Sequence, residues 1–318
     1  MLRVLVTGCS GFVGGHVCAR LAEAGFRVRG AIRNGRQVPT GCSESVVVGA
    51  IDGTTRWAAA LEGVDCVVHL AAKAHITGRL WRKSKEYMTT NANGTEALAV
   101  AAASMGVKRL VYISSAKVNG NRTSGRPFRG DDVVRPAGPY GVSKWLGEKG
   151  VRAVSERSHM EAAVVRLPLV YGPGVKANFL ALLKSVDREV PLPFGAVRNS
   201  RSLLASANLA DFICVLLQHP GDVRGTWMVS DGVDLSTPDL IRLIALAMNR
   251  RARLIDVPPR ILRILGTATI LGSAMERLCG SFVVDITDTC RYFGWSPPFP
   301  VRSAIERTVS AYLRAKSP

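Results

Sequence analysis

The segment "LRVLVTGCSGFVGGHVCARLAEAG" (2–25) constrains the chain more than any other stretch. A β-branched run, "LRVLVTG" (2–8), leads into Gly8-x-x-Gly11-x-x-Gly14 and then into a helical pattern, "VGGHVCARLAEAG" (13–25), that stops at Gly25. Glycines at this spacing permit a tight turn, close approach of the backbone to a ligand, and close helix–strand packing. The helix start adds free N–H groups and the positive end of its dipole. Together these features predict a pyrophosphate cradle built from Gly8, Gly11, Phe12, Val13 and Gly14. Glycines punctuate many turns, so it is the strand–turn–helix context that turns the spacing into a binding motif.

The same rhythm continues through the first half. "FRVRGAI" (26–32), "SVVVGAI" (45–51), "VDCVVHLAA" (64–72), "KRLVYISS" (108–115) and "EAAVVRLPLVYG" (161–172) read as strands. "NANGTEALAVAAASMG" (91–106) and "PYGVSKWLGEKGVRAVSER" (139–157) read as helices. Such alternation implies right-handed crossovers and an α/β fold, a Rossmann-type doubly wound parallel sheet. From about residue 173 the rhythm breaks into loop material at 172–179, 190–200 and 294–300, with helical patterns at 207–219, 237–249 and 301–314. We read 1–172 as a dinucleotide-binding domain and 173–318 mainly as a smaller, interleaved C-terminal substrate-binding lobe. The chain is expected to return to the sheet domain around 201–230.

Composition narrows the function classes. Apolar residues make up 47% of the 318, enough to bury a large core and to exclude wholesale disorder. The net charge of +18 favours acidic partners, yet the Lys and Arg are spread without runs or a nucleic-acid motif. No nucleic-acid partner is expected, and the charge would assist capture of a phosphorylated ligand. Seven scattered cysteines lack C-x-x-C or metal spacing, so reduced thiols and a cytoplasmic location are expected, with no metal site. "MLRVLVTG" leaves no room for a signal peptide. The apolar stretch 261–278 is interrupted by Arg263 and is too short to span a bilayer. A core or lobe-packing helix is expected there, with contact at a membrane surface as the alternative.

"PYGVSKWLGEKG" sets Tyr140 and Lys144 four residues apart, on one face of a helix. A free phenol titrates near about 10 and is a poor acid–base group at neutral pH. An adjacent ammonium, with an oxidised nicotinamide, is expected to lower that value. Tyr and Lys pair on many helices by chance; Ser114 and Ser115, ending the strand "KRLVYISS", supply a third partner.

These segments, with "HLAA" (69–72), "NANGT" (91–95), "SSAKVNG" (114–120) and "RLPLVYGPG" (166–174), resemble an extended short-chain dehydrogenase/reductase. The resemblance is to the NAD(P)-dependent nucleotide-sugar epimerase/dehydratase branch, and it continues through 201–211 and 293–299. It implies that Tyr140 is the acid–base, that Lys144 lowers its pKa and holds the nicotinamide ribose, and that Ser115 orients the sugar oxygen. Leu70, Ala71, Ala72 and Asn91 would line the cofactor cleft. Arg201 would grip the sugar-nucleotide pyrophosphate, unless it is a solvated surface arginine, and Asn178 would lie in the adjoining loop. "VPLPFG" (190–195) would pass the nucleotide base. Lys73 and His75 follow a strand end, where ligands of such sheets bind, and are candidate substrate contacts. A homodimer through helices of the sheet domain is the family expectation.

Departures from the family pattern select the reaction. The dehydratases of the branch carry Asp-Glu directly after the catalytic hydroxyl; here Ala116 and Lys117 stand there, which argues against elimination. "SSAKVNG" and "RLPLVYGPGVKANF" resemble reductases that act on a UDP-4-keto-6-deoxy-N-acetylhexosamine at C4, in surface-polysaccharide pathways. A UDP-sugar 4-epimerase, for UDP-glucose or UDP-N-acetylglucosamine, is the alternative enzyme; a dinucleotide-sensing scaffold is the non-enzyme alternative. A steroid- or flavonoid-type reductase fits the basic charge less well.

"VRGAIRNGR" (28–36) bears on the cofactor. An acid about 20 residues past the glycine turn would bind the ribose 2′-OH of NAD. Ile32 cannot, whereas Arg33 and Arg36 could meet a 2′-phosphate through charge-assisted bonds, or could simply be exposed at a strand end. The pattern favours NADP(H) over NAD(H), and a reductase consumes reduced cofactor at every turnover. Asp52 is a candidate adenine-side contact.

Overall fold

The computed structural model describes residues 1–35, 37–74, 80–258, 260–262 and 277–316. Its centre is a seven-stranded sheet in the order β3-β2-β1-β4-β5-β6-β9, with every neighbouring pair parallel. The strands are β1 (Arg3–Thr7), β2 (Arg27–Ile32), β3 (Glu44–Val47), β4 (Cys66–His69), β5 (Arg109–Ser115), β6 (Glu161–Leu167) and β9 (Gly225–Met228). The order reverses between β1 and β4, and ligands of such sheets bind in the crevice outside the carboxyl ends at that reversal.

Both sheet faces are covered, which is why the strands read as apolar runs rather than alternating ones. Val4 and Val6 point to the face packed by α1 (Phe12–Glu23) and α7 (Ser206–Gln218). Leu5 points to the other, beneath α4 (Gly94–Ser104) and α5 (Gly138–Glu156). A second core holds α6 (Ala177–Asp187), α8 (Thr237–Ala247) and the helix Val301–Arg314 together, through Phe179, Leu183, Ile241, Ile244 and Ile305.

Several boundaries differ from those expected. The run 161–172 is two strands, not one: β6 ends at Leu167, and β7 (Leu169–Tyr171) pairs with β8 (Leu203–Ala205) in a separate two-stranded sheet. Pro168 lies at the break, lacking the N–H that a central ladder needs. The supposed loop 172–179 turns helical at Ala177, because Phe179, Leu182, Leu183 and Val186 recur at helical spacing and are buried. β3 is an edge strand and stops at Val47, ahead of Gly49 at φ +71°, instead of reaching residue 51. The apolar stretch 261–278 lies almost wholly outside the described residues. Among those described, no helix is long and apolar enough to cross a membrane.

Candidate active site

The glycine turn stands at the sheet's order reversal. In register, Thr7 pairs with Ala31 of β2 on one side and with His69 of β4 on the other. The chain therefore emerges as Gly8, Ile32–Arg33 and Leu70–Ala71 at one edge. Gly8 has φ +70°, and a Cβ there would stand 2.7 Å from the Ala71 amide nitrogen. A Cβ at Gly14 would meet the Gly8 carbonyl oxygen at 2.2 Å. The Gly11 N–H donates to Gly8 O at 2.9 Å, closing the turn. α1 then starts at Phe12 with Gly11 as a cap that has no side chain, so no side chain occupies its first amides. Backbone this close-packed, opening on bare helix amides, fits a dinucleotide pyrophosphate.

The floor beside it is a buried polar array. His69 Nδ1 lies 2.6 Å from Thr7 Oγ1 and Nε2 lies 3.0 Å from Thr95 Oγ1. Burial, with the Lys144 charge, drives this imidazole down to about 3, so it stays neutral. The Ala71 N–H donates to Thr7 Oγ1 at 3.2 Å and anchors the "LAA" segment. Asn91 sits in a π-helical turn, Met88–Asn93, that swings its amide inward.

Across the crevice, Ser115 ends β5, and its Oγ accepts the Lys117 N–H at 3.3 Å, capping the short turn Ala116–Val118. Tyr140 and Lys144 rise from the first half of α5. Tyr140 is half-buried, its ring edge-on to Tyr87 at 5.7 Å. The Ser115 hydroxyl favours the ionised phenol, and Lys144, 2% exposed, lies one turn along. Burial pushes the Tyr140 phenol up to about 12, with Tyr87 adding to the rise and Ser115 opposing it. Lys144 by itself does not depress the phenol. The ammonium itself is driven down to about 7 by burial, against the pull of Glu148, so its charge at the site is only partly retained at neutral pH.

Lys117, two residues after Ser115, is depressed by burial and then by Arg277 and Arg201. Arg201 is brought down to about 10 by burial and by Arg277. Lys117 therefore shares its surroundings with the charges of Arg201 and Arg277.

A model of the NAD dependent epimerase/dehydratase family matches residues 4–229. A UDP-glucose 4-epimerase of Vibrio cholerae is 36% identical over 321 aligned residues, spanning 99% of this chain and 96% of that protein. The chain belongs to the NAD-dependent epimerase/dehydratase family. It is an enzyme of the extended short-chain dehydrogenase/reductase class. Among solved structures, MoeE5 in complex with UDP-glucose and NAD superposes with a TM-score of 0.81, at 23% identity over 99% of this chain and 100% of that one. A UDP-glucuronic acid 4-epimerase from Bacillus cereus, in complex with NAD, gives 0.81 at 20% identity, over 99% and 100%. These two likenesses show the shared fold.

Within this family member, the residues singled out in the sequence fare differently. Gly8, Gly11, Phe12, Val13, Gly14, Leu70 and Ala71 stand where the sheet order reverses, Ser115 ends β5, and Tyr140 and Lys144 stand on α5, with Lys144 against Tyr112 of β5. Arg33 is exposed one residue past the end of β2, level with the glycine turn. Ala72, past the end of β4 on the other side of β1, is exposed. Asn91 does not line the cleft with its side chain, being 0% exposed. Its Oδ1 accepts the Lys73 N–H at 2.8 Å, and its Nδ2 donates to Lys73 O and to Ser143 Oγ. It clamps the "LAAK" segment to α5. The Asp52 carboxylate is engaged within its own turn by Thr54 and Thr55. Lys73 pairs with Glu86 at 2.7 Å. Asn178 is exposed in the first turn of α6, a helix where a loop was expected. Arg201 is no solvated arginine: its Nη1 donates to the carbonyls of Arg277 and Gly280. Arg36 and His75 lie outside the described residues.

Sequence reasoning missed Arg277, Tyr112 and Glu148. The last two stand in "VYISS" and "KWLGEKG", next to motifs already noticed, but their burial against Lys144 is a tertiary fact.

Proposed function

We propose that the chain is a nucleotide-sugar 4-ketoreductase, reducing the C4 carbonyl of a UDP-4-keto-6-deoxy-N-acetylhexosamine with NADP(H), in surface-polysaccharide biosynthesis. The observation that carries the reading is Arg33 at the carboxyl end of β2, where a carboxylate would receive a ribose 2′-OH. A guanidinium there suits a 2′-phosphate, and a cofactor consumed at each turnover suits net reduction.

The acid–base pair supports the same direction. Tyr140, held above its ordinary range, is protonated at neutral pH and ready to give its proton to the oxygen developing at C4. Ser115 shares that oxygen through a hydrogen bond, and Lys144 supplies positive charge one turn away. When bound, the reduced nicotinamide supplies the hydride. Lys117, Arg201 and Arg277 supply charge for the diphosphate of a sugar nucleotide. Ala116 and Lys117 offer no carboxylate for elimination of water.

A second reading, UDP-sugar 4-epimerase, is favoured by the 36% identical Vibrio cholerae relative. Incubation with a UDP-4-keto-6-deoxy-N-acetylhexosamine, following NADPH and NADH oxidation separately, decides between them. Faster oxidation of NADPH supports the reductase. Tightly bound NAD with C4 interconversion of UDP-glucose or UDP-N-acetylglucosamine, and no added cofactor, supports the epimerase instead.

A further inference from the structure

Lys144 is a cation almost wholly removed from water, and burial works against its charge. Its Nζ lies 4.2 Å from the centroid of the Tyr112 ring, over the ring face. Tyr112 is itself 0% exposed and comes from the middle of β5, three residues before Ser115. On its other neighbours the ring is equally fixed. It stacks on His69 at 5.7 Å and 21°, and its hydroxyl reaches the carbonyls of Asn91 and Lys144, both at 3.4 Å. α5 approaches this ring because residue 147 is glycine; a Cβ there would stand 2.4 Å from the Tyr112 hydroxyl oxygen and 2.5 Å from Asn91 O.

We propose that Tyr112 is a positioning residue for Lys144, its ring face holding the ammonium in place and in its charged form beneath Tyr140. The proposal rests on the role assigned to Lys144 above. The negative face of an aromatic ring attracts a cation, and the attraction grows when both are desolvated. The other groups facing the ammonium are accounted for. Glu148, one turn along α5, favours the charge; His69 of β4 is held neutral; Tyr140 of α5 is protonated at neutral pH. Glu148 is also bonded to Arg166 and Ser114, so part of its charge is already answered. The Tyr112 ring, by contrast, lies directly against the ammonium.

The test is a titration of Lys144 by NMR in the full chain carrying 13C-labelled lysine, with the resonance assigned through Lys144→Met. In Tyr112→Phe, which keeps the ring and loses only two long hydrogen bonds, the midpoint stays at the wild-type value. In Tyr112→Leu it falls by about one pH unit, the scale of a desolvated cation–π contact. The alkaline limb of kcat for carbonyl reduction moves down with it. An unmoved midpoint in folded Tyr112→Leu overturns the proposal. Should that variant fail to fold, phenylalanines of increasing fluorination in place of Tyr112 keep the shape while weakening the ring's negative face. The Lys144 midpoint then falls along the series, and a flat series overturns the proposal. The titration needs neither substrate nor cofactor, so its outcome is independent of the reductase reading, which Tyr140→Phe tests by activity.

Discussion

Arg166 and Glu148 form a buried bidentate ion pair, Nη2 to Oε2 at 2.7 Å and Nε to Oε1 at 3.0 Å, with side chains 2% and 1% exposed. Ser114 adds a third bond to Oε1 at 2.6 Å, and Arg166 Nη1 donates to Asn119 Oδ1 at 3.0 Å. The pair joins β5, β6 and α5 directly under the reacting groups, since Ser114 precedes Ser115 and Glu148 follows Lys144 by one turn. Removing Arg166 leaves the buried Glu148 carboxylate with only Ser114 and the longer contact to Arg152 at 3.6 Å. Arg166→Met is expected to cost about 3–5 kcal/mol, and Arg166→Met with Glu148→Gln less than that. Denaturant unfolding of the two proteins measures the difference; equal loss would mean the stranded charge is not the cause.

Tyr140→Phe is expected to lower turnover by roughly 10²–10⁴-fold, the usual contribution of a positioned acid, while dinucleotide affinity is retained. Stopped assays with a 4-keto sugar and a separate fluorescence titration with NADPH read the two quantities. Wild-type turnover would remove Tyr140 from the mechanism.

Cofactor choice is expected to reside at the end of β2. Arg33→Asp should weaken NADPH binding by about 10- to 150-fold, the worth of a charge-assisted hydrogen bond, and leave NADH unchanged or improved. Steady-state KM values for both cofactors test this. Equal use of the two by the wild-type chain would return Arg33 to ordinary surface charge.

His69 makes stability depend on acid. Its value is about 3 in the fold against 6.5 unfolded, so below 6.5 the unfolded chain binds the extra proton. The contribution is complete above pH 6.5 and is lost as pH falls towards 3, by at most about 1.4 kcal/mol per pH unit. Urea unfolding between pH 7 and 4 should show a shallower decline in His69→Gln, whatever its starting stability.

The glycine turn makes a paired prediction. Gly14→Ala forces a methyl to 2.2 Å from Gly8 O and 2.6 Å from Cys9 Cα, both backbone, so the cradle must open and dinucleotide binding should fall more than tenfold. Gly15→Ala meets nothing within 4 Å inside α1 and should stabilise the fold by up to about 1 kcal/mol with affinity unchanged. Calorimetric titration and thermal melts separate the two variants.

Much of this protein was legible in the sequence. The alternation of apolar strands and helices requires a covered parallel sheet, because strands hydrophobic on both faces need helices on both. Gly8-x-x-Gly11-x-x-Gly14 and Tyr140 with Lys144 are local patterns, set by turn sterics and helical spacing, and were readable for that reason. Even the break at Pro168 and the start of α6 were present as a missing N–H and a helical apolar rhythm.

What the chain alone left undetermined is whatever depends on distant segments meeting. Asn91 looked like a cleft residue and became a clamp, because a π-helical turn faced it towards Lys73 and Ser143. Arg201 is drawn out of solvent only because the chain around 277–282 meets it, through the carbonyls of Arg277 and Gly280 and the Phe282 ring. Burial, with Tyr87 and Glu148 as neighbours, raises the Tyr140 phenol and lowers the Lys144 ammonium, which their spacing alone does not show. Spacing sets which side chains share a helix face; desolvation, which sets their proton affinity, exists only once the other layers of the fold close over them.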